Sequence, residues 1–345
     1  MIRTYKCATC GSDLVYDPVS KGLLCSHCGN KQDILSASEG RDLTIPAEDE
    51  AKDQAGNGKL IYNCPNCGAE LVTDEHTLAT SCSYCNSPML IESRYTGELK
   101  PKEILPFGFD KKQAQQNFKN WKGTGFLTPA SFKSAETMEK IRGVYVPYWL
   151  YDYTADVTLE GHGANTRVER HGDEEVIITD HFQFHRESQS EYEHVTKEAH
   201  ATYSENDLSV LEPYDFSALT EFLEPYLAGF YADKYGKTSE ELESSVRNAV
   251  SQDAVQAAAE LIYEYGSTQI QRADVEMSRA ESEYAFLPVY MLNYKYGGTN
   301  YPLYMNGQTG KIQGELPVSR GKLLLVGLIG FIVVFLITFM LGRGL

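Results

Sequence analysis

Eight cysteines, all within the first 85 residues and all in Cys-x-x-Cys pairs, constrain this 345-residue chain more than any other feature. The pairs are Cys7/Cys10, Cys25/Cys28, Cys64/Cys67 and Cys82/Cys85. Fourteen residues separate the first pair from the second, and fourteen separate the third from the fourth. This spacing predicts two tetrahedral four-cysteine sites, each closing its thiolates around one structural Zn2+ ion. After the pairs stand Gly11, Gly29, Gly68 and Asn86. A zinc knuckle turns sharply there, and glycine followed by asparagine best tolerates positive φ. YKCATCGSDLVYD overlies YNCPNCGAELVTD without a gap at an offset of 57, so the two ribbons read as a tandem duplication.

Disulfides would need an oxidising compartment, and MIRTYKCATC lacks the apolar core of a secretory signal. A redox dithiol would need one pair rather than four. A ribbon with four thiolate ligands has no open coordination position, so its metal supports folding rather than catalysis. Zinc ribbons also bind nucleic acid, but this chain carries a net charge of −17 and no segregated basic region. The second ribbon (60–93) has neither Lys nor Arg. Nucleic acid is therefore disfavoured, and protein contact is expected.

The other end is equally constrained. From Leu323 to Gly342 run twenty uncharged residues, fifteen of them Leu, Ile, Val or Phe. As a helix they span about 30 Å, the thickness of a hydrocarbon core. A single transmembrane helix at 323–342 is expected, followed only by Arg343, Gly344 and Leu345, so that the chain is tail-anchored in the bilayer. Arg320 and Lys322 before it, against one arginine after it, predict a cytoplasmic N-terminal portion.

Between the ends, residues 1–35 read as ribbon one, 36–59 as an acidic flexible linker, 60–93 as ribbon two and 94–320 as an α+β body. Asp110 should cap a helix through Trp121, and a second short helix should run from Pro129 to before Gly143. GVYVPYWLYDY predicts a strand covered on both faces, with further strands to about residue 200 broken at glycines and polar clusters. A helical hairpin should follow. Its first helix would start at Asp215 or Ser217 and bend at Pro225. Its second would carry a Thr238/Glu241 capping box and the stripe Leu242, Val246, Val250, Ala254, Ala257, Leu261 and Tyr265. FLPVYMLNYKY then returns to strand, with hairpin turns at Gly297-Gly298 and Asn306-Gly307. Residues 147–153 are echoed by 288–294, either as an internal repeat or as two similar aromatic strands.

No catalytic constellation stands out. His181 and His185 lie about 13 Å apart along a strand, and with His194 and His200 they read as solvent-facing. Gly307–Lys311 (GQTGK) lacks the spacing of a phosphate loop, and no cysteine lies outside the ribbons. An enzyme is not expected. Most of the 23 tyrosines should cover the faces of a modest sheet.

Tandem ribbons, GVYVPYWLYDY, VLEPYDFSALTEFLEPYLAGFYADKY, YMNGQTGKIQGELP and one apolar tail resemble the membrane-anchored tandem zinc-ribbon proteins of Gram-positive bacteria. Some of these are encoded beside a phage-shock-protein A homologue in envelope-stress operons. The resemblance covers nearly the whole chain; its EPYD and NGQTGK segments are the more specific. It implies a non-enzymatic adaptor that assembles such a homologue and co-encoded membrane proteins as a hetero-oligomer at the cell membrane. Two rivals follow from the ribbons: a membrane-tethered nucleic-acid or transcription protein, and a thiol/zinc redox sensor.

Overall fold

A computed structural model describes residues 2–39, 43–45, 52–53, 59–91, 99–121, 125–172, 174–200 and 208–342. It is α+β with a mixed sheet, and the chain divides into two compact units. One comprises Met1–Pro147, Thr202–Lys234 and Phe286–Leu345; the other comprises Tyr148–Ala201 and Tyr235–Ala285. Two long strands, Arg142–His171 and Ser267–Tyr296, each contribute to both.

In the first unit the ribbons are set into the sheet. Ile2–Thr4 pairs on one side with Leu43–Ile45 and on the other with Pro88–Ile91, the last strand of ribbon two. Pro88–Ile91 pairs with Thr77–Ser81, which pairs with Tyr231–Asp233. That strand runs parallel to Val144 and Tyr145. The tether expected over 36–59 needs revising where it is described. Ile34–Glu39 is helical, Leu43–Ile45 lies in the sheet, and Lys52–Asp53 pairs with Leu60 and Ile61. Polar composition describes the side chains of this segment, but its backbone groups find partners on neighbouring strands. The rest of the expected linker lies outside the described residues.

Asp110 caps Lys111–Asn120 by accepting the Gln113 amide, as its position predicts. The next helix is a 3-10 turn, Ala130–Lys133, followed by Ala135–Glu139. The core around them is aromatic: Phe107 stacks on Phe230 at 4.4 Å and packs edge-on against Tyr145 at 4.9 Å. Such pairs add about 0.5–1.5 kcal/mol beyond the area they bury.

The helical hairpin is half replaced. In place of its expected first helix there are two 3-10 turns, Phe216–Ala218 and Glu224–Leu227, and two short strands, Thr220–Glu221 and Tyr231–Asp233. Pro225 supports only a single turn, and Gly229 adopts φ +89°, outside helical space. Strand partners on both sides then outweigh the helical propensity of the segment.

In the second unit, Arg142–His171 and Glu174–Glu198 form one long hairpin, registered from Tyr148 opposite Glu198 to His171 opposite Glu174. The glycines expected to break it have another purpose. A Cβ on Gly163 would lie 2.3 Å from the Tyr265 ring, so glycine admits the aromatic cover. Ser239–Glu260 lies over this sheet, with Val246 and Val250 against Tyr151 and Tyr153, and Ala254, Ala258 and Ile262 against Ala155, Val157 and Leu159. Its capping box forms as expected: Thr238 accepts the Glu241 amide and Glu241 accepts the Thr238 amide. The stripe drifts, however. Ala258 and Ile262 are buried in place of the expected Ala257 and Leu261.

Candidate metal centres

Each Cys-x-x-Cys pair is the base of a tight turn, and the same turn occurs four times. The amides of Gly11, Gly29, Gly68 and Asn86 donate to the carbonyls of Cys7, Cys25, Cys64 and Cys82 at 2.8–3.0 Å. All four residues have positive φ, between 63° and 75°. The amides of those same four cysteines donate onward to the carbonyls of Ser12, Asn30, Ala69 and Ser87, also at 2.8–2.9 Å. Two turns face each other in each ribbon, which brings four sulfurs together.

The sulfurs of Cys7, Cys10, Cys25 and Cys28 all lie within 4.8 Å of one another, as do those of Cys64, Cys67, Cys82 and Cys85. Facing sulfurs are 3.6 Å (Cys7–Cys28), 3.5 Å (Cys10–Cys25), 3.6 Å (Cys64–Cys85) and 3.7 Å (Cys67–Cys82) apart. A tetrahedron with metal–sulfur bonds of about 2.3 Å has edges of about 3.8 Å. Both sets therefore fit zinc, and each of the eight predicted ligands is in place. Every set has two buried cysteines and two facing outward.

Spacing alone does not reveal the groups around the sulfurs. Asn30 Nδ2 points to Cys7 Sγ at 3.8 Å and Asn66 Nδ2 to Cys85 Sγ at 3.6 Å. The amides of Cys28 and Tyr84 approach the sulfurs of Cys25 and Cys82 at 3.5 and 3.4 Å. Such donors spread thiolate charge. Hydrogen bonding with Ser12 brings the Cys10 thiol down to about 6. Against the opposing effect of desolvation, Ser87 and Asn66 bring Cys85 down to about 7, whereas burial drives Cys64 up to about 12. Metal must displace the remaining protons, so acid opposes binding.

The duplication extends beyond the ligands. Asp17 accepts the amide and hydroxyl of Ser20 at 3.0 and 2.6 Å; 57 residues on, Asp74 accepts those of Thr77 at 2.9 and 2.8 Å. Tyr5 and Tyr62, and Leu14 and Leu71, are buried in matching places.

Both ribbons are packed into the first unit. Ile2, at the start of ribbon one, enters the core of ribbon two with Tyr62, Leu71 and Met89. The Tyr16 amide donates to Ala228 O at 2.8 Å, and its ring meets Tyr226 and Phe230. Arg3 pairs with Glu224.

EPYD and NGQTGK, far apart in sequence, interlock. Gln308 accepts the Asp215 amide at 2.7 Å and donates to its carbonyl at 2.8 Å. Buried Asn306 donates to Leu211 O at 3.0 Å and accepts the amides of Gln308 and Thr309 at 2.8 Å. GQTGK is a hairpin turn joining Thr299–Asn306 to Ile312–Gly314. His181 and His185 are exposed, and His185 is held between Glu160 and Glu187. His200, expected at the surface, is buried. Among the described residues the two cysteine sets are the groups that bring three or more ligand atoms together.

Arg320–Gly342 is one continuous helix. Among the described residues it is the one helix long and apolar enough to cross a membrane, and none of its apolar window is buried.

Over 348 aligned positions, covering all of both chains, the sequence is 33% identical to "Uncharacterized protein YdjG" of Bacillus subtilis (strain 168). No family model and no solved structure matches the chain.

Proposed function

We propose that this chain, which belongs to the family of Bacillus subtilis YdjG, is a non-enzymatic adaptor, held at the cell membrane by its C-terminal helix, that assembles protein partners there. The observation that carries this reading is that two closed four-cysteine sites and an apolar helix of membrane-spanning length belong to one compact unit. Four sulfurs per ion leave no position for water or substrate, so zinc here contributes folding free energy. The ribbons are joined to the sheet on their inner sides. Val19 and Tyr84, on outer turns, and Val72, on the strand Glu70–Asp74, are exposed apolar side chains that they present to partners.

In this reading the N-terminal portion is cytoplasmic, where thiolates persist and where Arg320 and Lys322 favour placement. Its partners are membrane-stress proteins, among them a phage-shock-protein A homologue and co-encoded membrane proteins, in a hetero-oligomer. The net charge of −17 supports protein contact over nucleic acid. Crosslinking in intact cells followed by mass spectrometry tests it. The reading expects a reproducible set of membrane-stress proteins crosslinked through the ribbon turns. Recovery of the chain without partners, or crosslinked chiefly to nucleic acid, overturns it.

A second reading, a thiol-responsive sensor, is favoured by the outward-facing Cys10, Cys28, Cys67 and Cys85. Mild peroxide should then release zinc and change the crosslinked set. Holoprotein that keeps its metal and its partners removes that reading.

A further inference from the structure

The terminal helix does not leave the first unit on a free tether. The Ser319 amide donates to Leu127 O at 2.8 Å, and the Leu323 amide donates back to Ser319 O at 2.9 Å as the helix begins. Lys322 Nζ donates to Phe126 O at 3.0 Å and to Thr128 O at 2.7 Å, and lies 5.6 Å from the centre of the Phe126 ring. Residues 125–128 form a turn closed by the Thr128 amide on Gly125 O at 3.1 Å. Thr128 and Pro129 are buried, yet the large ring of Phe126 is 68% exposed. Val318 beside it is 49% exposed.

Magnitudes decide where this turn sits once the helix is in a bilayer. The uncharged run starts at Leu323, and Ser319 lies four residues, about 6 Å, before it along the axis. The headgroup layer on each side of the hydrocarbon is about 5–7 Å thick. A backbone hydrogen bond to Ser319 therefore places the 125–128 turn inside that layer. Aromatic side chains are favoured there, and a lysine reaches the phosphates while its stem stays apolar. Lys322 meets carbonyls in this turn, so its charge remains available to lipid phosphate.

We propose that the 125–128 turn is a second membrane contact, with Phe126 and Val318 inserted at the lipid interface and Lys322 at the phosphates. The contact rests on the membrane-anchor reading above. It extends that reading by holding one particular edge of the folded unit against the lipid surface, so that this unit does not hang from a free stalk.

Full-length, metal-loaded Phe126→Trp and Phe331→Trp variants, reconstituted in phosphatidylcholine/phosphatidylglycerol vesicles, test this. Tryptophan emission is compared with that of the parent chain, using lipids brominated near the headgroup or at mid-chain. The expected result is a blue-shifted extra emission from F126W that shallow bromines quench, and an F331W emission that mid-chain bromines quench. Quenching of F331W with none of the F126W increment overturns the interfacial contact and leaves the anchor standing. Quenching of neither, or of F126W alone, overturns the anchor and the contact built on it.

Discussion

Asp17 and Asp74 carry the duplicated turn at the smallest scale. Each accepts an amide and a hydroxyl, and these bonds hold both carboxyls below the usual carboxylate range despite the opposing cost of desolvation. Replacing either by Ala should cost about 1 kcal/mol at neutral pH, less than the roughly 1.5–3 kcal/mol of a buried charged hydrogen bond, because both side chains remain partly in water. A depressed folded value means this stability is complete above the unfolded pKa of about 3.9 and is lost as pH falls through the folded value. Urea midpoints of D17A, D74A and the parent across that range check it. The knuckle positions make a paired test. Gly68 has φ +75° and open space for 4 Å around the position a Cβ would take, so Gly68→Ala should cost about 1–2 kcal/mol of backbone strain alone. Asn86→Gly, at φ +63°, should be neutral or slightly stabilising. These turns are legible in the sequence because ligand spacing and positive φ each restrict residue type. Asn30 and Asn66 are not, since an amide near a sulfur leaves no periodic mark.

Elements are legible where local chemistry decides them. The Asp110 cap and the Thr238/Glu241 box form as expected, and so does the turn at Gly297-Gly298, where both φ values are positive. Residues 215–235 have the local pattern of a helix, but their strand partners, Thr77–Ser81 and Val144–Tyr145, lie far away in sequence and decide otherwise. The buried face of Ser239–Glu260 departs from the expected stripe at its end: a four-residue step, 246 to 250 to 254 to 258, carries it, and Ile262, just past the Leu261 cap, is buried beyond the helix. Ile262 is 7% exposed and Leu261 62%. Ile262→Ala should therefore lower stability by about 2 kcal/mol or more, while Leu261→Ala should stay within about 0.5 kcal/mol. Thermal or urea unfolding separates the two. Asn306→Ala should cost about 1–3 kcal/mol by leaving buried backbone groups without partners, a loss that urea unfolding also measures. That would mark the NGQTGK and EPYD segments as a structural clasp. Their sequence specificity then reflects one interlocked turn rather than a ligand site.

At the scale of the whole molecule, the two four-cysteine sets and the helix apolar enough to cross a membrane belong to one unit. Ribbon two lends Thr77–Ser81 and Pro88–Ile91 to the sheet, ribbon one packs on residues 226–230, and the chain's first strand completes the core of ribbon two. Composition suggests fingers on a loose linker, because pairing between residues 2–4, 43–45 and 88–91 cannot be read from any one of them. Zinc loss should therefore disturb more than the ribbons. Chelation of the holoprotein should increase amide exchange in Tyr231–Asp233, and not only at residues 5–30 and 62–87. Two closed four-cysteine sites that staple a membrane-held unit require a fixed metal content. Chain extracted from washed membranes under anaerobic conditions should hold two zinc ions per polypeptide by elemental analysis. Fewer than two ions, or a chain absent from the membrane fraction, would mean that the sites are not closed zinc staples of a membrane-held unit.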